Sequence, residues 1–253
     1  MAIMDSSETL WRDALGIDAA SVPDVLILEG TWWRGQATKR RLAQLSDVRE
    51  LDFPEMYIGT WKNARVAYCC AYGAARAVEP AHIFAQLGTP LLIQIGTCGT
   101  LDVKTGTGVV VLPQVCAARD GISQIYGAGA EVETDPIWVN RAEFMLGNLD
   151  IETQRAKHLT WPSLFAQSDQ MCADWADEGL LSIDMETSVV VAVAHHFGVS
   201  AVSMLSDWDA LPHGRTFLDP LNEAETQALN QSNEAVFAAA LSLSEEVAAA
   251  RIV

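Results

Sequence analysis

The sequence predicts a single α/β domain in which a central mixed β-sheet is flanked by helices. Two short apolar runs, residues 91–95 and 109–112, are bounded by glycines and are typical of buried strands. A strand, a small-residue turn, a helix and another strand follow one another in residues 66–95, which predicts a crossover connection in a parallel or mixed sheet. Half of the 253 residues are hydrophobic and no long linker separates them, so we expect residues 1–253 to form one domain.

The composition excludes several classes of partner. A net charge of −17 argues against nucleic acid and against anionic membranes, and it means that an anionic small substrate needs a few well-placed arginines. The five cysteines are odd in number and lack a CxxC pair, so we expect neither a disulfide framework nor a metal site. Because neither a secretory signal nor an apolar run of membrane-spanning length is visible, we expect a cytoplasmic protein without membrane contact.

The first third of the chain contains one candidate ligand-binding turn. Residues 1–20 are predicted to form an N-terminal helical extension, residues 24–28 a buried strand and residues 36–46 a helix. Gly30 follows the strand and Arg34 comes four residues later, an arrangement that would place a cation at the carboxyl end of the strand. An ordinary strand-to-helix turn with a solvated arginine explains the same residues.

A hairpin and a second turn lead to the centre of the sheet. Residues 58–72 are predicted to form the hairpin, and Pro80 and Gly88 to begin and end a helix. The strand at residues 91–95 then runs into a turn, residues 96–99, with glycines at both ends and Thr97 between them. Such a turn lets backbone N–H groups approach an anion or a sugar. It is equally consistent with a tight turn between two core strands.

Acidic residues begin a helix in the second half of the chain. Residues 113–136 are expected to be rich in loops, and residues 137–148 to be helical. Residues 187–197 form an almost wholly apolar helix, which is typical of a buried position. Asp184 and Glu186 precede this helix. Since buried carboxylates are costly unless they are paired or functional, we assign Asp184 to capping the helix and Glu186 to a site.

The next strand, predicted at residues 199–205, also leads to acidic residues. An acid at the end of a central strand is a common active-site geometry, and we therefore interpret Asp207 as catalytic. Asp209 is interpreted as part of a turn or a cap. A long final helix is expected to be capped by Asp219 and to begin at Pro220. Phe165, in an aromatic loop, would either stack on a planar base or cover the core.

Three separated motifs together resemble the nucleoside phosphorylase and nucleosidase superfamily, of the purine nucleoside phosphorylase and uridine phosphorylase type. Gly30 with Arg34 resembles the GDPxR turn of that family. Residues 95–99 resemble its GTxG or GSCG turn. Residues 184–186, with Ser206 and Asp207, resemble its (E/D)ME and SD pair. The resemblance extends from about residue 23 to the final helix.

The resemblance implies a nucleoside phosphorylase-like fold with a partly barrel-like sheet, and it implies cleavage of a nucleoside by phosphate to a base and a pentose 1-phosphate. It also implies inorganic phosphate as co-substrate, no cofactor, and a homo-oligomer, either a dimer or a hexamer. The implied roles are phosphate binding by Gly30, Arg34 and Thr97, ribose binding by Met185 and Glu186, and base binding by Phe165 and Asp207. Asp207 and Glu186 would be the catalytic residues.

These residue types suit the chemistry, because a carboxylate beside the ribose favours a cationic sugar and a protonated acid neutralises the departing base. Departures from the family pattern leave two other functions open. Gln94 occupies the position of a usual arginine, and Thr31 and Trp32 replace the Asp-Pro of the GDPxR turn. One alternative is a nucleosidase that uses water, although its activating glutamate has no counterpart near Arg34. The other is a nucleoside- or base-binding protein with weakened catalysis.

Overall fold

In the computed structural model, which describes residues 6–251, a ten-stranded mixed sheet is flanked by seven α-helices. The strands are β1 (Val25–Gly30), β2 (Ser46–Glu50), β3 (Met56–Trp61), β4 (Ala64–Cys70), β5 (Leu91–Thr100), β6 (Val110–Ala118), β7 (Glu131–Glu133), β8 (Thr153–Thr160), β9 (Ser182–Asp184) and β10 (Ser200–Ala210). The helices are α1 (Glu8–Leu15), α2 (Arg34–Leu42), α3 (Ala74–Gln86), α4 (Pro136–Gly147), α5 (Asp169–Asp177), α6 (Thr187–Phe197) and α7 (Glu223–Ala250).

Five of the strands close into a small barrel. Hydrogen bonds link them in the order β10, β6, β8, β9 and β5, and β5 pairs again with β10. The sheet continues from β5 through β1, β4 and β3 to β2. β1 is parallel to both β4 and β5, whereas β3 is antiparallel to β4. The predicted α/β architecture, with a mixed and partly barrel-like sheet, is therefore confirmed.

The strand residues alternate between two apolar cores, one on each face of the sheet. In β1, Leu26 and Leu28 pack with α3 and α6, whereas Val25 and Ile27 pack with α4 and α7. This alternation follows from the two-residue period of a strand. Because both faces are covered, the strand is apolar almost throughout, as the sequence suggested. α6 packs against both α3 and the sheet, and its first eight residues are all buried.

Residues 96–99 do not form the predicted turn but lie inside β5, which continues to Thr100. The reason is that β5 has hydrogen-bonded neighbours along its whole length, with β1 and β10 on either side and β9 beyond the end of β1. A β-carbon on Gly96 would stand 2.6 Å from the carbonyl oxygen of Gly30. The glycine thus permits close approach of two strands rather than a reversal of the chain.

Two predicted helix starts are also wrong. Pro80 lies inside α3, which begins at Ala74 directly after Gly73. α7 begins at Glu223 and not at Pro220, because Asn222 and Glu225 form a reciprocal capping box. Asp219 instead accepts hydrogen bonds from the backbone N–H and the hydroxyl of Thr216.

Short strands were harder to predict than helices. β2 and β7 have no apolar alternation long enough to predict them, and β6 extends into the segment expected to be loop-rich. Within the expected N-terminal extension, α1 covers Glu8–Leu15, and residues 1–5 lie outside the described residues. None of the helices in residues 6–251 has the length and apolar character needed to cross a membrane.

Candidate active site

A cavity lies at the carboxyl ends of β1, β5 and β10, and we call it the main cavity. Gly30, Thr97 and Gly99 contribute to its wall where these strands run side by side. Met185 and Glu186, which connect β9 to α6, also line it. Ligands of open α/β sheets bind at this end of the strands. The main cavity is accordingly the candidate active site.

Glu186 is held at the wall of the main cavity by the backbone. Its Oε1 accepts a hydrogen bond from the N–H of Gly73 at 2.5 Å, and its Oε2 accepts one from Met185 at 3.3 Å. The side chain is almost fully buried. Burial, followed by the charge of Asp184, raises the pKa of Glu186 to about 8, and the two backbone hydrogen bonds oppose this rise.

Asp184 belongs to a fully bonded network behind Glu186. Its carboxylate accepts hydrogen bonds from the N–H of Thr187 at 2.9 Å, from the Thr187 hydroxyl at 2.6 Å and from the Thr160 hydroxyl at 2.9 Å. It also contacts His158 Nε2 at 2.9 Å, and both side chains are inaccessible. Burial would raise the pKa of Asp184, but the charge of His158 and these hydrogen bonds outweigh it and hold the pKa below its usual range. As expected, Asp184 binds the first N–H of α6.

Gln94 is part of the same network. Its Nε2 approaches Asp184 at 3.4 Å, and its Oε1 accepts a hydrogen bond from the Thr187 hydroxyl at 2.9 Å. Gln94 is buried and is not a lining residue of the main cavity. The side chain of Gln94 therefore stabilises the N-terminus of α6.

Asp207 lies inside β10 rather than beyond its end. It is fully inaccessible, it pairs in register with Cys98, and it is not a lining residue of the main cavity. Neither of its carboxylate oxygens accepts a well-formed hydrogen bond from residues 6–251. Burial, with a further contribution from the charge of Asp209, raises the pKa of Asp207 to about 8, whereas Arg215 opposes the rise.

Asp209, which the sequence analysis assigned to a turn, lines the main cavity. A β-bulge at Trp208 shifts the register, so that Asp207 is opposite Cys98 and Asp209 is opposite Gly99. Burial, followed by the charge of Asp219, raises the pKa of Asp209 to about 7, and Arg215 opposes this. The single signal in the sequence that could have found Asp209 is its position two residues after Asp207.

Arg215 is a second residue that the sequence analysis missed. It lies in the loop between β10 and α7, and its guanidinium lowers the pKa of both Asp207 and Asp209. Its Nη2 donates a hydrogen bond to the Thr107 hydroxyl at 2.5 Å. No motif in the sequence connects this arginine with the acids of β10.

Arg34 does not reach the main cavity. It is the first residue of α2, it is exposed, and it lines a separate surface pocket with Lys39, Glu55 and Tyr57. Trp33, the residue before it, lines the main cavity instead. Successive helical residues point about 100° apart, so a chain that turns Trp33 inward directs Arg34 elsewhere.

Phe165 also differs from the expectation. Its side chain is 79% exposed and packs edge-on against Trp32 with ring centroids 6.3 Å apart. Its neighbours Leu164 and Gln167 are the residues of this loop that line the main cavity. The role of this loop in binding a base stays a prediction, and a sequence cannot fix which side of an irregular segment faces inward.

Aromatic rings narrow the main cavity. Trp33 stacks on Trp208 with centroids 5.2 Å apart and an angle of 23° between the planes, and both rings contact Phe217 edge-on. Tyr72 lines the cavity as well, and burial, then the charges of Glu186 and Asp209, raises its pKa to about 12. Glu186, Asp209 and Tyr72 thus line one and the same cavity.

A second space, which we call the side cavity, adjoins the main cavity. The two share five lining residues, Gly30, Thr31, Trp33, Thr97 and Trp208. Arg40 and Asn233 line only the side cavity. Arg40 is the only lysine or arginine among the described residues that line either cavity. Arg40 also pairs with Glu234 at 3.3 Å and lies 3.9 Å from Glu29.

Buried cysteines and acids do not form a metal site. Within residues 6–251 there is no group of three or more His, Cys, Asp or Glu side chains able to hold a metal ion.

Comparison with known proteins shows the family to which this chain belongs. Residues 35–243 match the model of the phosphorylase superfamily. The purine nucleoside phosphorylase DeoD-type of Alkaliphilus metalliredigens is 20% identical over 208 residues, which cover 79% of this chain and 88% of that protein. The guanosine phosphorylase of Halorubrum lacusprofundi is 28% identical over 51% of this chain and 52% of that protein.

Solved structures share the fold. Uridine phosphorylase from Vibrio fischeri ES114 has a TM-score of 0.75 and 18% identity, and the match covers 88% of this chain and 92% of that one. The 5′-methylthioadenosine/S-adenosyl homocysteine nucleosidase of Campylobacter jejuni has a TM-score of 0.71 and 14% identity, with 87% and 98% covered. Because the family model spans most of the chain, this protein belongs to the phosphorylase superfamily.

Proposed function

We propose that this protein cleaves the N-glycosidic bond of a nucleoside and transfers the pentose to inorganic phosphate, giving a free base and a pentose 1-phosphate. The observation that carries the proposal is the pairing of a buried glutamate, Glu186, with an acid of β10 across one cavity. Membership of the phosphorylase superfamily and the phosphorylase names of the relatives support it.

The sugar is proposed to bind at the Glu186 end of the main cavity. The hydroxyls of a ribose would donate hydrogen bonds to the Glu186 carboxylate, which the N–H of Gly73 already orients. As the glycosidic bond breaks, positive charge develops on the sugar, and this charge favours the ionised form of Glu186, which stabilises it in turn. Met185 would pack against the ribose from the same wall.

Phosphate is proposed to enter from the side cavity. Gly30 and Thr97 line both cavities, so they lie between the acceptor and the sugar. Arg40 is the cation of this region, and we assign it the charge-neutralising role that the family resemblance gave to Arg34. Asn233 adds an amide that can donate a hydrogen bond to a phosphate oxygen.

Hydrolysis is the second candidate, because the described lining of the main cavity contains Asp184, Glu186 and Asp209 but no lysine or arginine. Glu186 and Asp209, when ionised, disfavour a phosphate dianion in this space and favour a neutral acceptor. In this case water would attack the sugar, and Arg40 would serve only to pair with Glu234.

The decisive experiment is a panel of purine and pyrimidine nucleosides incubated with the enzyme, with and without phosphate. The expected result is release of a base together with pentose 1-phosphate, and loss of turnover when phosphate is removed. Undiminished turnover with free pentose as product would favour hydrolysis. Binding of a base in calorimetry without turnover of any nucleoside would contradict both candidates and leave a binding protein.

We also propose that the protein is cytoplasmic and that it forms a homo-oligomer, either a dimer or a hexamer. The five cysteines are all free thiols, which suits a reducing compartment. Sedimentation of the purified protein measures the oligomeric state directly.

A further inference from the structure

The strand that carries Asp207 presents a second acid, and only this second acid reaches the main cavity. Asp207 is fully buried beside Cys98, whereas Asp209 lines the cavity next to Gly99. Asp209 Oδ1 is buried and has no hydrogen-bond partner among the described residues, so it is available to a ligand. A group that protonates a leaving base must come within hydrogen-bond distance of it.

We infer that Asp209, rather than Asp207, is the acid that gives its proton to the departing base. This inference rests on the proposed cleavage of a nucleoside. As the bond between the sugar and the ring nitrogen breaks, its electron pair passes to the base. The carboxyl proton of Asp209 moves to the base at the same time, and the oxygen of the acceptor forms the new bond to the sugar. Asp209 is left as a carboxylate.

Asp209 can recover its proton from solvent, because it also lines a neighbouring surface pocket. That pocket lies between the loop of residues 164–168 and the loop of residues 211–218, and it includes Ser168 and Gly214. The acid therefore borders the site on one side and the surface on the other. Asp207, which has no exposed surface, lacks such a path.

The groups around Asp209 set its charge state. Asp207 and Cys98 are close to it on the barrel strands, and Tyr72, which follows β4, lines the same cavity. Arg215 and Asp219 come from the loop before α7. Asp219 and burial favour the protonated form, and Arg215 favours the carboxylate. A balance of this kind suits an acid that is protonated before the reaction and ionised after it.

The test compares Asp209→Asn, Asp207→Asn and, as a control, Asp177→Asn, which changes an exposed acid at the end of α5. The substrate is the nucleoside of the panel that the wild-type enzyme cleaves fastest. For Asp209→Asn we expect kcat to fall about 100-fold or more with KM changed only a few-fold. The wild-type kcat/KM should decline above about pH 7, and the residual activity of this variant should lack that decline.

A second substrate, p-nitrophenyl riboside, has a leaving group that departs without a proton, so Asp209→Asn should cleave it nearly as fast as wild type. Asp209→Glu, which retains an acid, should recover part of the nucleoside activity if Asp209→Asn is too unstable to assay.

Three results would overturn the inference. One is normal kcat in Asp209→Asn together with a large loss in Asp207→Asn, which would return the role to Asp207. Another is an equal loss on both substrates, which would make Asp209 a binding residue. The third is an unchanged pH profile. Failure of the wild-type enzyme to cleave any nucleoside is a separate outcome, which removes the proposed function itself before any variant is compared.

Discussion

The carboxylate of Glu186 lies directly against the backbone of Gly30, where a β-carbon would stand 2.8 Å from Oε2. The last residue of β1 and the residue before α6 are thus in contact at the wall of the main cavity. Only a glycine at position 30 leaves Glu186 in its present place. Any β-carbon there would displace the carboxylate, which is buried and bonded to Gly73.

Gly30→Ala should therefore displace Glu186 while the protein still folds. We expect kcat/KM for nucleosides to fall on the order of 100-fold, because a displacement of about 1 Å is costly in an active site. Gly35→Ala is the matched control, since no atom lies within 4 Å of a β-carbon at that position. Steady-state kinetics measure both, and equal activity of the two variants would show that Glu186 does not need its present position.

Arg40 and Arg34 should differ in their effect on phosphate. Arg40→Met removes the cation of the side cavity, and we expect the KM for phosphate to rise roughly tenfold or more, as for loss of a charged hydrogen bond. Arg34→Met changes an exposed residue of another pocket and should leave that KM within about twofold. Phosphate titrations at saturating nucleoside measure the difference. The reverse order of effects would restore Arg34 as the phosphate residue.

Leu164 should matter more than Phe165 for the base. Leu164→Ala enlarges the main cavity and should raise the KM for a nucleoside about fivefold or more, which corresponds to roughly 1 kcal/mol of apolar contact. Phe165→Ala removes a ring that is 79% exposed and should have a smaller effect. A larger effect of Phe165→Ala would mean that the loop changes conformation when the substrate binds.

β10 and the loop of residues 161–165 show most clearly which parts of the structure can be predicted from the sequence. Apolar runs and glycines were enough to predict the mixed sheet and the exact extent of α6, because the period and the flanking residues determine burial. The same signals also indicated β10 and Glu186 as candidate parts of a functional site. They could not show that a bulge separates Asp207 from Asp209, or that Arg34 faces outward, because these depend on contacts between distant segments.

The buried acids should make stability depend on pH. The pKa of Asp207 is raised from a usual value of 3.8 to about 8 in the folded protein, so between these values the folded state holds a proton that the unfolded state has lost. The free energy of unfolding should consequently fall as pH rises, by about 1.4 kcal/mol per pH unit for each such proton. Glu186 and Asp209 act in the same direction.

Asp207→Asn removes a carboxyl group that holds one of these protons. The melting temperature of Asp207→Asn, relative to that of wild type, should increase as pH rises from about 5 to 9. At high pH the wild-type protein must bury the Asp207 carboxylate when it folds, whereas the variant has no charge to bury at this position. Thermal unfolding at several pH values gives the comparison, with Asp177→Asn expected to follow wild type throughout. A constant difference between Asp207→Asn and wild type would show that Asp207 ionises normally.

The His158–Asp184 pair should be essential for folding. Both side chains are inaccessible, and removal of one partner leaves a buried group without its counter-charge. Asp184→Asn should lower the free energy of unfolding by roughly 3–5 kcal/mol. Glu178→Gln, which breaks the exposed ion pair with Arg119, should cost less than about 1 kcal/mol. Denaturant unfolding measures both, and similar losses in the two variants would contradict the assignment of Asp184 to a structural network.

The bulge at Trp208 has a consequence for how this site can change. In an even strand, residues 207 and 209 would share one face, but here they are paired with Cys98 and Gly99, which face opposite sides of β5. Deleting Trp208 would therefore remove the bulge and still leave the two aspartates opposite Cys98 and Gly99, on opposite faces of the strand. The one extra residue of the bulge, and not the two-residue spacing of the aspartates, thus turns one carboxyl group toward the main cavity and the other away from it.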